Sequence, residues 1–273
     1  MLRADTLTDA SLLVFTLVVG VMLALERLLP LVTLLPRRER LRHAARNLGL
    51  SLTAGGVALL GGWALAAAGT VAQAHGFGLL NLLDPPFFVR FLAALVVIDF
   101  FEWVRHRLHH RVPVLWRLHR VHHSDPDVDA TTSVRGHPIE TAVAYTYFSV
   151  VVLLLGADAL SLALRTLVTV TLLAFHHSAL RLPPRLDAAL SLVTPTPRTH
   201  RLHHSREVRF TDSNYGTVFT WWDRLLGTFT PGERLDPHAR TGLNGFDAPD
   251  DQTIWGILKS PWRDVPHDSA PKG

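Results

Sequence analysis

The sequence predicts an all-α integral membrane protein, with four to five transmembrane or re-entrant helices and a histidine-box di-metal site on the cytosolic side. Three observations predict it. The 273 residues are 48% hydrophobic, with a mean hydropathy of +0.21, and the apolar residues gather in long runs. Of sixteen histidines, twelve lie between His106 and His204. Cysteine is absent, which excludes disulfides, thiolate zinc sites, iron–sulfur clusters and a cysteine nucleophile.

The first apolar run, roughly Ala10 to Leu35, follows the acidic Asp5 and Asp9 and has no clear small-residue cleavage site. It reads as a span and not as a cleavable signal peptide. The second covers roughly Leu48 to Ala72. The third starts after Pro85-Pro86 and runs through FFVRFLAALVVIDFFEWV to about Val104. A hydrocarbon core ~30 Å thick needs about 20 helical residues, and these three qualify. The fourth and fifth, roughly Ile139 to Leu155 and Ala159 to Phe175, are shorter, and only Gly156-Ala157-Asp158 separates them. They read as a helical hairpin, transmembrane or re-entrant. Residues 1–84 are then an N-terminal transmembrane region of two helices. Residues 85–232 form the domain that carries the histidines, and 233–273 form an irregular tail rich in Pro, Gly and Asp.

Charge sets the orientation. The net charge is +4 and the isoelectric point near 10.1, with arginines in clusters. Beside apolar runs of this length, such clusters point to an anionic membrane surface and not to nucleic acid. The loop after the first span carries Arg37, Arg38, Arg40, Arg42 and Arg46, whereas residues 73–86 contain no Lys or Arg. The positive-inside rule makes the first loop cytoplasmic. Following the chain through its spans then puts every histidine cluster on that same face. Arg105, Arg107, Arg111, Arg117 and Arg120, among the histidines, read as headgroup-level anchors.

Three histidine boxes follow. The first is His106-Arg-Leu-His-His110, the second His119-Arg-Val-His122-His123 and the third His200-Arg-Leu-His203-His204. Residues three and four apart share a helix face, so each box offers two or three imidazoles to one place. Imidazole suits iron, zinc, copper and nickel. Eight nitrogens are too many for one ion and about right for two. His109 is off the i, i+4 pair, and His43, His75, His238 and His267 stand alone; none of these reads as a ligand. No E-x-x-H carboxylate-bridge motif and no H-E-x-x-H protease motif is present.

These boxes, with Arg135-Gly-His137-Pro-Ile-Glu140, Thr196-Pro197-Arg198, Asp212-Ser-Asn214-Tyr215-Gly216 and Trp222-Asp223-Arg-Leu-Leu-Gly227-Thr228, resemble the signature of the fatty acid hydroxylase/sterol desaturase superfamily over roughly residues 90–230. The resemblance implies a membrane-embedded helical catalytic domain over 85–232 with two iron ions. It implies O2 as co-substrate for hydroxylation or desaturation of a lipid in the bilayer, and electrons from a separate donor protein. Carried over by position, the ligands are His106, His110, His119, His122, His123, His200, His203 and His204. His177, in Phe175-His176-His177, and His137 are further candidates. Residues 178–181 read Ser-Ala-Leu-Arg where many members have Asn at the position of Ala179, which leaves His176 open beside His177.

Asp99 and Glu102 lie seven and four residues before His106, placed to accept a ligand's second N–H. Asp212, Asn214 and Asp223, with Tyr215, are expected to support the third box. Oxidation of an unactivated C–H bond needs a redox-active metal, which zinc is not. The rival readings are a non-oxidative metal-binding membrane protein and a zinc-dependent membrane hydrolase at the same histidines.

Overall fold

The structure is a computed structural model that describes residues 4–236 and 238–264, with side chains from Leu13 onward. His267 and the side chains of Asp5 and Asp9 fall outside them. The described residues form helices joined by turns and loops, with two isolated β-bridges.

Helix α1 (Ala4–Leu28) stops short of the expected Leu35 because Pro30 cannot continue it. Residues 29–31 instead pair with residues 179–181: Leu31 N–H donates to Ala179 O at 2.7 Å and Arg181 N–H to Leu29 O at 2.8 Å. Helix α2 (Arg37–Ala74) also departs from the expectation. The arginine-rich stretch is its first turns and not a loop: Pro36 presets the entry, and arginine is a good helix former. A short α3 (Leu79–Leu83) leads to α4 (Phe87–Arg111), which begins after Pro86 and runs unbroken through the first histidine box. Helix α5 (Pro113–His123) follows at once, with Pro113 in its first turn. Helices α6 (Pro138–Leu155) and α7 (Ala159–His177) are the expected hairpin.

Among the described residues, three stretches are long and apolar enough to cross a membrane: Arg37–Leu83, α6 and α7. Both arms of the hairpin therefore qualify as spans. Helix α4 does not, since Arg90, Asp99, Glu102, Arg105 and Arg107 interrupt its apolar run. The outer face of α2 carries Leu52, Leu59, Leu60 and Trp63, each at least 60% exposed. A surface of this kind suits hydrocarbon and not water.

The core lies between α2, α4, α6 and α7, where Ala94, Ile98, Val151, Val152, Leu155 and Leu162 pack together. At the end far from the histidines, Gly156 ends α6 at φ 73°, and a Cβ there would meet Asn81 Nδ2 at 2.8 Å and Phe77 O at 3.0 Å. Arg90 ties this end together through Leu80 O at 2.8 Å and Asn81 Oδ1 at 2.6 Å.

The remaining helices are short: α8 (Pro184–Leu190), α9 (Pro197–His203), α10 (Val208–Thr211), α11 (Trp221–Leu225) and α12 (Ile254–Lys259). The tail is irregular between its short helices, as expected, but it is not loose over the described residues. Leu243 and Phe246 pack on Trp116, and Ile257 packs on Leu50 and Val121. Arg120 donates to the carbonyls of Ser260 and Arg263. Apolar residues spaced through a polar segment were enough to fasten it to α5.

Candidate metal centre

Each histidine box ends a helix that a local signal starts or stops. Box one is the last two turns of α4. Box two is the C-terminal half of α5, which Pro113 starts. Box three is α9, where Thr196 accepts from Thr199 N–H at 3.3 Å while Thr199 Oγ1 accepts from Thr196 N–H at 2.9 Å, with Pro197 in the first turn. His176 and His177 close α7.

The boxes converge on two places. His106, His110, His119, His123 and His203 form one group, and His122, His177, His200 and His204 the other. All eight expected ligands are present, and His177 joins them. The boxes divide differently from the expectation that each serves one place. Adjacent residues stand about 100° apart around a helix, so His122 and His123 turn to different groups, and so do His203 and His204.

The nitrogens facing one another fit a cation. His106 Nδ1–H donates to Tyr215 O at 2.9 Å and His203 Nδ1–H to Ser213 O at 2.7 Å. A carbonyl only accepts, so both rings carry their proton on Nδ1. Their Nε2 atoms nevertheless lie 3.0 Å apart, lone pair against lone pair. His122 and His177 repeat the pattern. Their Nδ1–H groups donate to Arg135 O at 3.0 Å and Leu173 O at 2.8 Å, and their Nε2 atoms are 3.0 Å apart. A shared proton is disfavoured. Burial drives His122 below the ordinary imidazole value and takes His203 down to about 3. His119, His123, His200 and His204 are pushed well down by burial and by the neighbouring rings. Both ring nitrogens of His110, His123 and His204 are buried with no hydrogen-bond partner. Orphaned buried nitrogens cost about 1–3 kcal/mol each. A metal ion would satisfy one nitrogen of each ring, and an all-imidazole donor set suits iron, zinc, copper or nickel.

The supporting residues hold the rings through backbone carbonyls. Asn214 adopts φ 56° and is fixed by Nδ2–H donation to Thr199 O and Thr230 O, both at 2.9 Å. It thereby aims the flanking carbonyls of Ser213 and Tyr215 at His203 and His106. Asp223 accepts from Tyr215 N–H at 3.0 Å, Gly216 N–H at 2.8 Å, Trp103 Nε1–H at 2.9 Å and Thr228 Oγ1–H at 2.6 Å. Both act at one remove from the imidazole rings. Asp212 sits closer, its Oδ1 3.5 Å from His110 Nδ1, and burial raises its carboxyl to about 6.

Three expectations are corrected. Asp99 touches no histidine; it accepts from Val218 N–H, Phe219 N–H and Trp222 Nε1–H at 2.8–3.1 Å, because the 215–222 loop lies against that turn of α4. Glu102 pairs with Arg105 at 2.6 Å and with no ring. His137 joins neither group: its Nδ1 accepts from Ile139 N–H at 3.1 Å as the cap of α6. His176 is buried outside both groups, its ring centroid 4.2 Å from that of His200. The sequence reading missed Glu140, whose Oε1 accepts from His119 Nδ1–H at 2.7 Å, a carboxylate–histidine pair that fixes tautomer and basicity. Its signal was present in Arg135-Gly-His137-Pro-Ile-Glu140 but unassigned. His43 joins neither group, as expected of a lone histidine: it is buried between Asp125, at 2.8 Å, and Asp129, at 3.2 Å. A cavity of about 470 Å³ opens beside His106, His119 and His122 and reaches Ala54 and Gly55 of α2.

Residues 91–228, about half of the chain, match the family model described as fatty acid hydroxylase. The chain belongs to the fatty acid hydroxylase family. All nine histidines of the two groups lie inside the matched segment. Among curated members of the wider superfamily, ornithine lipid hydroxylase OlsE of Rhizobium tropici is 34% identical over 53% of this chain and 43% of its own length. Human alkylglycerol monooxygenase is 28% identical over 50% of this chain and 30% of its own. Methylsterol monooxygenase 1 of Rattus norvegicus is 29% identical over 51% of this chain and 46% of its own. Each match thus spans less than half of the relative's length. No solved structure matches the chain.

Proposed function

We propose that this fatty acid hydroxylase family member is a multi-pass membrane enzyme that oxidises a C–H bond of a lipid with O2, by hydroxylation or desaturation, at two iron ions held by the nine histidines. The observation that carries the reading is the pair of facing Nε2 contacts at 3.0 Å between rings whose protons are committed elsewhere. The relatives' names, each a lipid hydroxylase or a monooxygenase, support oxidation of a lipid over hydrolysis.

Bound iron would supply the one-electron and O2 chemistry that an unactivated C–H bond needs. Hydroxylation consumes O2, two electrons and two protons and yields the alcohol and water; the electrons come from a separate donor protein. The chain's own residues bind, orient and exclude. Glu140, Tyr215 O, Ser213 O, Arg135 O and Leu173 O lock five rings with Nε2 turned inward. Ala54, Gly55 and Ala58 leave the cavity open toward the apolar face of α2, a route from the bilayer for a lipid chain. Residues 85–232 carry the catalytic domain, and residues 1–84 anchor it. The arginines Arg37 to Arg46 support a cytoplasmic position for the site, since His43 among them contacts Asp125 beside the second box.

Lipid profiling by mass spectrometry tests this, in cells expressing either the chain or a His122→Ala, His203→Ala double variant. A lipid product differing by one added oxygen or two lost hydrogens, dependent on both histidines, is expected. Protein from iron-replete cells that holds only zinc and takes up no O2 refutes the proposal.

A further inference from the structure

A second cavity, of about 270 Å³, adjoins the first inside the helix bundle and shares Glu102, Arg105, Tyr145 and Thr217 with it. Its walls are mostly apolar, and beside Glu102 and Arg105, which pair with each other, they carry a third charged residue that the metal centre does not use. Arg165 sits in the middle of the apolar α7 and lines only this second cavity. Its Nε is buried without a hydrogen-bond partner, and its guanidinium lies over Phe148 at 5.7 Å. Arg105 reaches the same ring from 5.9 Å.

The nearby acids, Glu102 and Asp99, attract Arg165 electrostatically but spend their hydrogen bonds on other groups. Both oxygens of Glu102 accept from Arg105. Asp99 takes two backbone amides and an indole N–H. An arginine inside a membrane helix is costly, and such residues mark substrate pathways. Guanidinium is matched to oxyanions: it is always charged and offers a planar fork of donors.

We propose that Arg165 binds the anionic oxygens, carboxylate or phosphate, of a single-chain or polar lipid substrate, whose hydrocarbon chain runs past Tyr145 to the histidines. This rests on the reading of the first cavity as the oxidation site. It makes Arg165 a specificity determinant for acidic lipids over neutral ones such as sterols and esters.

The test is equilibrium binding to the metal-loaded full chain in detergent, without turnover. The probes are hexadecanoate, hexadecyl phosphate and methyl hexadecanoate. At least one anion is expected to bind about tenfold or more tightly than the ester, as a charge-assisted contact predicts. Preference for hexadecanoate assigns a carboxylate lipid, and preference for the phosphate a phospholipid. The advantage is expected to fall below about twofold in Arg165→Met and to persist in part in Arg165→Lys, with metal content unchanged. The exposed Arg117→Met is expected to leave it intact. If Arg165→Met loses metal, Arg165→Gln is read in its place. Equal binding of anions and ester by the native chain, or a preference that survives loss of the Arg165 charge, overturns the proposal. Zinc-only protein that keeps the anion preference would sink the oxidation reading and leave this one standing.

Discussion

Removing the Glu140 carboxylate isolates the contribution of one supporting contact to metal affinity. Glu140 Oε1 accepts from His119 Nδ1–H at 2.7 Å, with side-chain exposures of 11% and 6%. The bond is short and shielded from solvent, so it belongs to the charge-assisted class worth about 1.5–3 kcal/mol. In Glu140→Ala the ring loses the partner that fixes its tautomer, and Nε2 no longer has to be the bare nitrogen. Loss of a second-layer carboxylate of this kind lowers metal affinity by about 10- to 100-fold, which agrees with the hydrogen-bond figure through about 1.4 kcal/mol per decade. Glu140→Gln keeps an acceptor without the charge, and a loss of about tenfold or less is expected. The assay is competition between the apo chain and a chelator of known affinity, read as the metal dissociation constant. Glu102→Gln is the control: Glu102 pairs with Arg105 and touches no ring, so affinity is expected within about twofold of native. Native-like affinity in Glu140→Ala, or an equal loss in Glu102→Gln, would refute the assignment of Glu140 as the partner of His119.

Asp223→Ala leaves Trp103 Nε1–H, Tyr215 N–H and Gly216 N–H without their acceptor, and at about 1–3 kcal/mol for each buried orphan a loss of at least ~3 kcal/mol is expected in detergent unfolding. His137→Ala is expected to keep both metal ions and to cost about 1 kcal/mol as a lost helix cap, whereas His123→Ala is expected to lower metal stoichiometry; equal metal content in the two variants by elemental analysis would contradict the grouping. The ligand histidines of the second and third boxes also set an acid limit. Their folded pKa values lie below the ordinary 6.5, with His203 at about 3, so the unfolded chain takes up protons first. Their contribution is complete above about pH 6.5 and is lost as pH falls toward 3, at about 1.4 kcal/mol per unit for each histidine. The apo chain is expected to unfold on acidification within that window, and saturating metal to move the midpoint to lower pH. An apo chain as stable at pH 4.5 as at pH 7.5 would contradict the burial of neutral rings.

Much of the site was legible because imidazole spacing on a helix is a local property. His106 and His110, or His119 and His123, meet by helical periodicity alone. What was not legible depended on contacts distant in sequence. Asp99 sat at the right helical offset for His106, yet Val218, Phe219 and Trp222 claim its oxygens from a loop some 120 residues away. Glu140 reaches His119 only because α6 packs beside α5. His137 sat within a recognisable motif, but its Nδ1 satisfies an amide two residues on, a competition that spacing does not reveal. Span ends failed locally as well: Pro30 cut α1 short, and the arginines after Pro36 continued a helix where charge alone suggested a loop.

The split of His122 from His123, and of His203 from His204, has a thermodynamic consequence. Neighbouring residues on one backbone serve different groups, so neither α5 nor α9 can be set for one ion while it is disordered for the other. An ion arriving first would immobilise both helices, and a second would find its nitrogens already in place. Occupancy is then coupled, with the second binding step favoured over the first. Chains holding a single ion are expected to be scarce at every metal concentration, and a metal titration followed by native mass spectrometry would pass from empty to doubly filled. A family built on two separate mononuclear sites would not need histidines side by side. The side-by-side histidines of this chain would tie the filling of its two halves into one event.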